Sequence, residues 1–357
     1  MKILNLSGSP YEIGLSHGEQ AKNEVLTSIT SYEKLFFENA GITWSQAREM
    51  GKHYLDSIEK TNVDLLEEMK GLAKGASVDF EDILVLNARS EIVLTQNKTD
   101  GCTSFAIMPP KSEYAFLGQT WDWTSAQAKS LIMTKITQQH GPKIHMVTEA
   151  GIIGKIGLNE HGLGVCLNAL RSNLKSNELP IHLGLREVLN SEDIDEARNK
   201  VVNGQLGSSA NFLLAQAKGA VHKAINLELS PSKFGEQETV DSYLYHTNHF
   251  CSKAVIEDIG NDNLSTEENS YNRMDRMGEL IENSTKYQNV VTEKDIEGWL
   301  ADHENQPNSI CIHKVPGTSD YTDTITCFSV IMNLTNKSMY LKEGQPCEPI
   351  DTQRFSF

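Results

Sequence analysis

The segment Asp100-Gly101-Cys102-Thr103-Ser104-Phe105 sets a cysteine directly behind a glycine, at the start of a run that reads as a strand. Gly101 has no side chain, so its carbonyl is sterically open and its backbone can take angles that other residues avoid. A thiol so placed can attack the carbonyl of the bond that precedes it. The product is a thioester, and water then frees a new N-terminus at Cys102. The freed α-amino group has a reference pKa of roughly 7.7–8.0. It is suited to act as a base for the thiol beside it. Read without context, a Gly-Cys step far more often marks a buried structural thiol. The other five cysteines, Cys166, Cys251, Cys311, Cys327 and Cys347, are read as buried reduced thiols. None forms a CxxC pair, and the chain is too long to need a disulfide framework.

Short motifs surround that step in a fixed order. They are Gly8-Ser9-Pro10-Tyr11-Glu12-Ile13-Gly14 with His17-Gly18, Asn87-Ala88-Arg89-Ser90-Glu91, Asp100-Gly101-Cys102-Thr103 and Gly118-Gln119-Thr120-Trp121-Asp122. Then come Thr148-Glu149-Ala150-Gly151-Ile152-Ile153-Gly154-Lys155, His246-Thr247-Asn248-His249, Asn272-Arg273 with Arg276-Met277, and Ser309-Ile310-Cys311. On this set, nearly end to end, the chain resembles the acyl-coenzyme A:6-aminopenicillanic acid acyltransferase (isopenicillin N acyltransferase) family, a self-cleaving cysteine branch of the N-terminal nucleophile hydrolases. The resemblance implies an α+β fold, a four-layer αββα sandwich with Cys102 at the end of a central strand. It also implies cleavage between Gly101 and Cys102. A mostly helical chain 1–101 and a catalytic chain 102–357 would then stay associated as one folded domain.

The resemblance also proposes roles. Cys102 matches the nucleophile, with its own amine as proton shuttle. Asp122 matches a carboxylate that orients the α-ammonium; on its own it reads as a strand-end Asp in a turn. Asn248 matches an oxyanion-hole donor, a role typically worth ~2.7–4 kcal/mol, and otherwise reads as a turn or strand-end Asn. Arg273 matches an electrostatic support, and otherwise a solvated helix charge beside Asp275 and Arg276. Arg89 and Glu91 would organise the precursor, or are solvated helix charges. The implied partners are a small-molecule amide or an acyl-coenzyme A co-substrate, and the chain's own N-terminal fragment. No bound cofactor and no metal are expected.

Two positions depart from related patterns. Bile-salt-hydrolase relatives carry an Arg three residues before the catalytic Asp; here that residue is Gln119, which disfavours bile-salt or penicillin V hydrolysis. The acyltransferase branch commonly has an Arg after its Ser-x-Cys; here it is Ile312, which puts the penicillin substrate in doubt. A Cys102 thioester leaves two outcomes. An amine acceptor gives an acyltransferase. Water gives an amidohydrolase of N-acyl amino acids or amine conjugates, without coenzyme A. The competing class is a non-catalytic binding protein of the same fold, against which the intact set Cys102, Asp122, Asn248 and Arg273 argues.

Other candidate motifs carry less. His246-Thr247-Asn248-His249 on an extended run would put its imidazoles on opposite faces, so it makes a poor metal site. Gly151-Ile152-Ile153-Gly154-Lys155-Ile156-Gly157 lacks phosphate-loop spacing. Trp121 and Trp123 read as core or pocket wall.

The elements that must position these residues change near residue 100. Residues 11–95 read mostly as helix, with Leu65, Met69 and Leu72 at helical intervals, Gly75 as a stop and Asp79 as an N-cap for a helix through Ile83, Leu84 and Leu86. From Cys102 the chain reads as short strands: Cys102–Met108, Tyr114–Thr120, His145–Glu149, Gly164–Ala169, Asn211–Ala215, Val221–Leu229 and Leu244–Thr247. Helices follow Asp193 and Thr292, and one carries Met274, Met277, Leu280 and Ile281. The last strands are Ile325–Asn333 and Ser338–Leu341.

Composition bounds the rest. The 357 residues carry 32 Lys and Arg against 48 Asp and Glu, a formal net charge of −16. That excess argues against nucleic acid or an anionic membrane surface as partner. No apolar stretch approaches the ~20 residues of a membrane helix, and MKILNLSGSPYEIG lacks the apolar run of a secretory signal. A cytoplasmic location is the expectation.

Overall fold

The computed structural model describes residues 1–93, 101–204, 206–239, 241–286, 289–321 and 323–357. Asp100 and the end of the expected helical region, at 94–95, lie outside the described residues. The described strands are β1 (Lys2–Gly8), β2 (Gly101–Ile107), β3 (Phe116–Trp123), β4 (Leu131–Gln138), β5 (Ile144–Glu149), β6 (Ile156–Asn159) and β7 (Leu163–Ala169). After them come β8 (Ala210–Lys218), β9 (Val221–Leu229), β10 (Phe234–Glu238), β11 (Tyr243–His246), β12 (Ile325–Asn333), β13 (Ser338–Glu343) and β14 (Asp351–Ser356).

They form two sheets. One has the order β1-β4-β5-β6-β7-β8-β9-β10, and the other β11-β2-β3-β12-β13-β14. The sheets pack through β2, β3 and β11 against β7, β8 and β9. Helices between residues 10 and 93, with Ile181–Leu189 and Ile194–Gly204, cover the first sheet; Glu268–Thr285 and Glu293–Leu300 cover the second. The result is the α+β, four-layer αββα sandwich. Among the described residues no helix is long and apolar enough to cross a membrane.

Alternation along β2 and β3 divides their side chains between two environments. Ala106, Leu117 and Trp121 join Cys166 and Leu213 in the core between the sheets. Phe105, Ile107 and Phe116 join Met277, Ile281 and Trp299 in a second core under the helices. Cys102 shares the inter-sheet face with Ser104, whose hydroxyl donates to Asn168 Oδ1 on β7 at 2.6 Å. Gln119 also reaches across. Its Oε1 accepts the Leu167 N–H at 2.7 Å, and its Nε2 donates to the Leu167 carbonyl at 3.3 Å.

Two expectations need correction, and one element was not foreseen. One strand had no counterpart in the sequence reading: β1 precedes the mostly helical segment and pairs in parallel with β4, Lys2 opposite Ile132. Gly75 does not stop its helix, which runs Val63–Ala76 and ends at Ser77 in the left-handed region. Gly75 is needed for close approach instead. A Cβ there would stand 2.2 Å from the Leu15 carbonyl, as a Cβ at Gly14 would stand 1.8 Å from the Glu68 carbonyl. The Gly-rich motifs at 8–18 thus build a helix crossing that only glycine permits. Likewise, Cys251 and Cys347 are exposed, not buried. The caps fare better. Asp79 caps Phe80–Asn87, and Thr292 with Asp295 forms a capping box for Glu293–Leu300.

Candidate active site

Gly101 and Cys102 open β2, the second strand of its six-stranded sheet. Cys102 is 1% exposed. Its backbone N–H donates to Asn248 Oδ1 at 2.8 Å. Its carbonyl accepts from Arg273 Nη1 at 2.8 Å and from Asn168 Nδ2 at 3.1 Å. Both polar groups of the Cys102 backbone are therefore held by side chains from other elements, which fixes the residue at the strand end.

Asp122 lies within β3, not in a turn after it, and its Cα is paired with that of Gly101. The carboxylate stands beside the junction: a Cβ on Gly101 would meet Asp122 Oδ2 at 3.0 Å and Ile312 Cδ1 at 3.3 Å. Glycine before the cysteine is thus a packing requirement as well as a chemical one. Asp122 Oδ1 accepts from Thr326 Oγ1 at 2.6 Å, and Thr326 Oγ1 in turn accepts the Ile312 N–H at 2.8 Å.

Asn248 turns its oxygen to the Cys102 nitrogen. The network fixes that orientation, because Oδ1 also accepts from Arg273 Nη2 at 2.9 Å while Nδ2 donates to the Ala169 carbonyl at 3.1 Å. Here Asn248 acts as an acceptor that holds the Cys102 nitrogen. Arg273 is 1% exposed and not a solvated helix charge. It lies on the buried stripe with Met277 and Ile281, and Nη1 also donates to Thr103 Oγ1 at 3.0 Å.

Behind the thiol lies a buried charge cluster that the sequence reading did not assign. Lys155 pairs with Glu149, and its Nζ sits 3.3 Å from the centroid of the Trp121 ring. Arg89 Nη2 approaches Glu149 at 3.2 Å, and Tyr32 donates to Glu149 at 2.6 Å. Burial pushes Lys155 down to about 8, with Glu149 and Cys102 pulling against it. Burial pushes Glu149 up, but Lys155 and Arg89 overcome this and hold its carboxyl well below the usual range. Arg89 and Glu91 are 2% and 1% exposed, so the solvated reading fails for both. Glu91 accepts the Ile181 N–H at 2.9 Å and the Ser208 hydroxyl at 3.0 Å. Trp121 and Trp123 stack at 5.9 Å between centroids, as core walls.

β11 ends at His246, so the chain is no longer extended at Asn248 and His249. The His246 and His249 rings stack at 6.5 Å and do not face opposite ways. His246 Nε2 pairs with Glu228 Oε1 at 2.8 Å. Burial lowers the His246 pKa, but Cys251 and Glu228 outweigh it and raise it to about 10. A folded value above the unfolded ~6.5 means that the pair stabilises fully below that pH and is lost as pH rises towards 10. The melting-temperature gap between the parent protein and His246→Asn should therefore be widest near pH 6 and narrow steadily to pH 10. A gap that widens with pH would contradict this assignment.

The sequence-derived set Cys102, Asp122, Asn248 and Arg273 is thus assembled around one backbone junction. Asn168, Thr103, Thr326, Glu149 and Lys155 complete it. For Asn168, Glu149 and Lys155 a signal was present, namely polar side chains in otherwise apolar runs. Thr326 carried none.

The chain is similar to several known proteins. The family model described as acyl-coenzyme A:6-aminopenicillanic acid acyl-transferase matches residues 108–348. The acyl-coenzyme A:6-aminopenicillanic-acid-acyltransferase 40 kDa form of Emericella nidulans is 31% identical over 361 aligned positions, covering 100% of this chain and 96% of the relative. The beta-alanyl-dopamine/carcinine hydrolase of Drosophila melanogaster is 22% identical, covering 97% of this chain and 93% of the relative. A crystal structure of a mutant conjugated bile acid hydrolase from Clostridium perfringens shares the fold, with a TM-score of 0.50 and 11% identity over 72% of this chain and 92% of that one. With its two-sheet sandwich and the assembled junction at Cys102, the chain belongs to the acyl-coenzyme A:6-aminopenicillanic acid acyl-transferase family.

Proposed function

We propose that this chain cuts its own Gly101–Cys102 bond and then moves acyl groups on and off the Cys102 sulfur. The observation that carries the reading is the convergence on one peptide junction of a thiol, a carboxylate against Gly101 and three side chains on the Cys102 backbone. In the first step Sγ attacks the Gly101 carbonyl carbon. The C–N bond breaks, the thiol proton passes to the departing nitrogen, and a thioester remains. Water then hydrolyses it, leaving a carboxylate on Gly101 and a free amine on Cys102.

The segment before the cut has reason to stay. Leu4 and Leu6 of β1, with Ile13, Tyr32, Phe36, Leu84 and Leu86 of the helices, are buried in the same core as the sheets.

In the mature site the Cys102 amine takes the thiol proton, and the thiolate attacks an acyl carbonyl. The departing coenzyme A thiolate or amine receives that proton. Asp122 lies on the side of the junction where the new ammonium forms, so its carboxylate favours the charged amine. Of the two N–H groups of Asn248, one is held by Ala169. Once the Cys102 nitrogen is free, the other serves as the oxyanion donor.

The similarity to both an acyltransferase and an amine-conjugate hydrolase supports a small acyl amide or acyl thioester as donor. Ile312 beside Gly101 makes that wall of the junction apolar, which favours an uncharged substrate group there. The test is intact-mass analysis of the mature protein after brief exposure to a panel of acyl-coenzyme A thioesters and N-acyl amides. An acyl adduct mapped to Cys102 is expected with at least one donor. Turnover of a donor with acylation at another residue would overturn the reading.

A further inference from the structure

Away from the acyl site, four side chains from three separate segments converge on one point. His303 follows the helix Glu293–Leu300, Cys311 and His313 lie on the segment that leads into β12, and Cys347 lies between β13 and β14. Their ligand atoms all lie within 4.8 Å of one another. The two imidazole Nε2 atoms are 3.1 Å apart, and the two sulfurs 3.6 Å apart. His313 Nε2 is 3.2 Å from Cys347 Sγ and 3.8 Å from Cys311 Sγ.

These separations have a geometric meaning. A tetrahedral zinc with bonds of ~2.3 Å to sulfur and ~2.0–2.1 Å to nitrogen has edges of roughly 3.8 Å (S to S), 3.6 Å (S to N) and 3.3 Å (N to N). Four of the six edges lie within about 0.4 Å of that pattern, and the other two are within 4.8 Å. A disulfide would instead need the sulfurs at ~2.03–2.05 Å and would leave the paired histidines without a purpose. We propose that His303, Cys311, His313 and Cys347 form a Cys2His2 site for a structural Zn²⁺.

The chemistry is self-consistent. Zn²⁺ displaces two protons from the two thiols, and with two thiolates and two neutral imidazoles the site carries no net charge. Mixed thiolate and imidazole donors in a tetrahedron select zinc over the oxygen-seeking cations. His303 and Cys347 are exposed, so the ion has a path in, while Cys311 is buried. Four protein ligands leave no open position, which makes the site structural and not hydrolytic.

Its placement also gives it a task. Cys311 N–H donates to the Asp302 carbonyl at 3.0 Å, and Asp302 is held by Arg276 of the helix that bears Arg273. Cys311 directly precedes Ile312, which packs against Gly101 and bonds Thr326 beside Asp122. The metal would tie the irregular segment around 301–321 to the β13–β14 connection and so hold the wall of the junction in place. The residues are too dispersed in the chain for a compact zinc motif, so the expectation of no metal was drawn from the HxxH run alone.

The inference does not depend on the acyl chemistry, and its test reads metal directly. The chain is produced in zinc-supplemented medium, purified under reducing conditions without chelator, and analysed by inductively coupled plasma mass spectrometry. One zinc per chain is expected. His303→Ala and Cys347→Ser, both at the surface, should each lose most of it, whereas Cys251→Ser should keep it. After metal stripping, Co²⁺ should give the visible absorption of a tetrahedral thiolate site in the parent protein and not in His303→Ala. A parent protein that retains no zinc after equimolar ZnCl2 and desalting would overturn the proposal. So would variants that bind zinc as the parent does, or a Cys311–Cys347 disulfide in place of metal in the freshly isolated protein.

Discussion

Cys102→Ala is expected to leave residues 1–357 as a single band on a denaturing gel and to lower acyl turnover by on the order of 10³-fold or more. The methyl group fits where the thiol was, since Cys102 is an apolar contact in the inter-sheet core. The backbone bonds to Asn248, Arg273 and Asn168 do not involve the sulfur. The folded structure should therefore persist, with a melting temperature close to that of the uncut precursor. Fragments still appearing at the Gly101–Cys102 junction would show that another group makes the cut. An uncut chain that retained turnover would show that the sulfur is not the carrier.

Asp122→Asn should have the next largest effect. A positioned carboxylate acting on a catalytic amine is typically worth ~10²–10⁴ in rate, and the amide keeps the shape but loses the charge. The Thr326 hydroxyl can still donate to the side-chain oxygen, so stability should change little. Both self-cleavage and turnover should slow, with kcat falling and KM nearly constant. The pH-rate profile is the readout that separates this from a structural role. Without the carboxylate the Cys102 ammonium loses a stabilising partner, so the acid limb of the profile should move to lower pH. An unchanged profile with a lower melting temperature would mean that Asp122 only packs the strand pair.

Much of this site was readable before any coordinates, and the reasons for success and failure are physical. Cys102, Asp122, Asn248 and Arg273 came from motif resemblance, and the fold brings them to one strand end through pairings that span up to 171 residues of sequence. What the motifs could not give was environment. Arg273 sits in a helix with Asp275 and Arg276, so its local composition resembles a wet surface. Only its helical interval to Met277 and Ile281 showed that it lay on the buried stripe. Asp122 was placed in a turn because strand ends blur by a residue or two. In fact β3 runs on to Trp123, and pairing with β12 continues through a register shift between Thr326 and Phe328.

Other misses follow from long-range packing. β1 is a seven-residue strand stabilised by a parallel partner more than a hundred residues away, Lys2 with Ile132. Gly75 looked like a helix stop because glycine ends helices by default. Its actual constraint is the facing backbone at Leu15. Glu149 and Lys155 were visible as letters in a motif, but their burial as an ion pair under Trp121 is a property of the sheet packing.

The most direct measurement is intact-mass analysis and N-terminal sequencing of the freshly purified parent protein. Two co-eluting chains are expected, residues 1–101 and residues 102–357, the larger beginning Cys-Thr-Ser-Phe. A single uncut chain that turns over acyl substrate, or a larger fragment beginning at any other residue, would contradict the account.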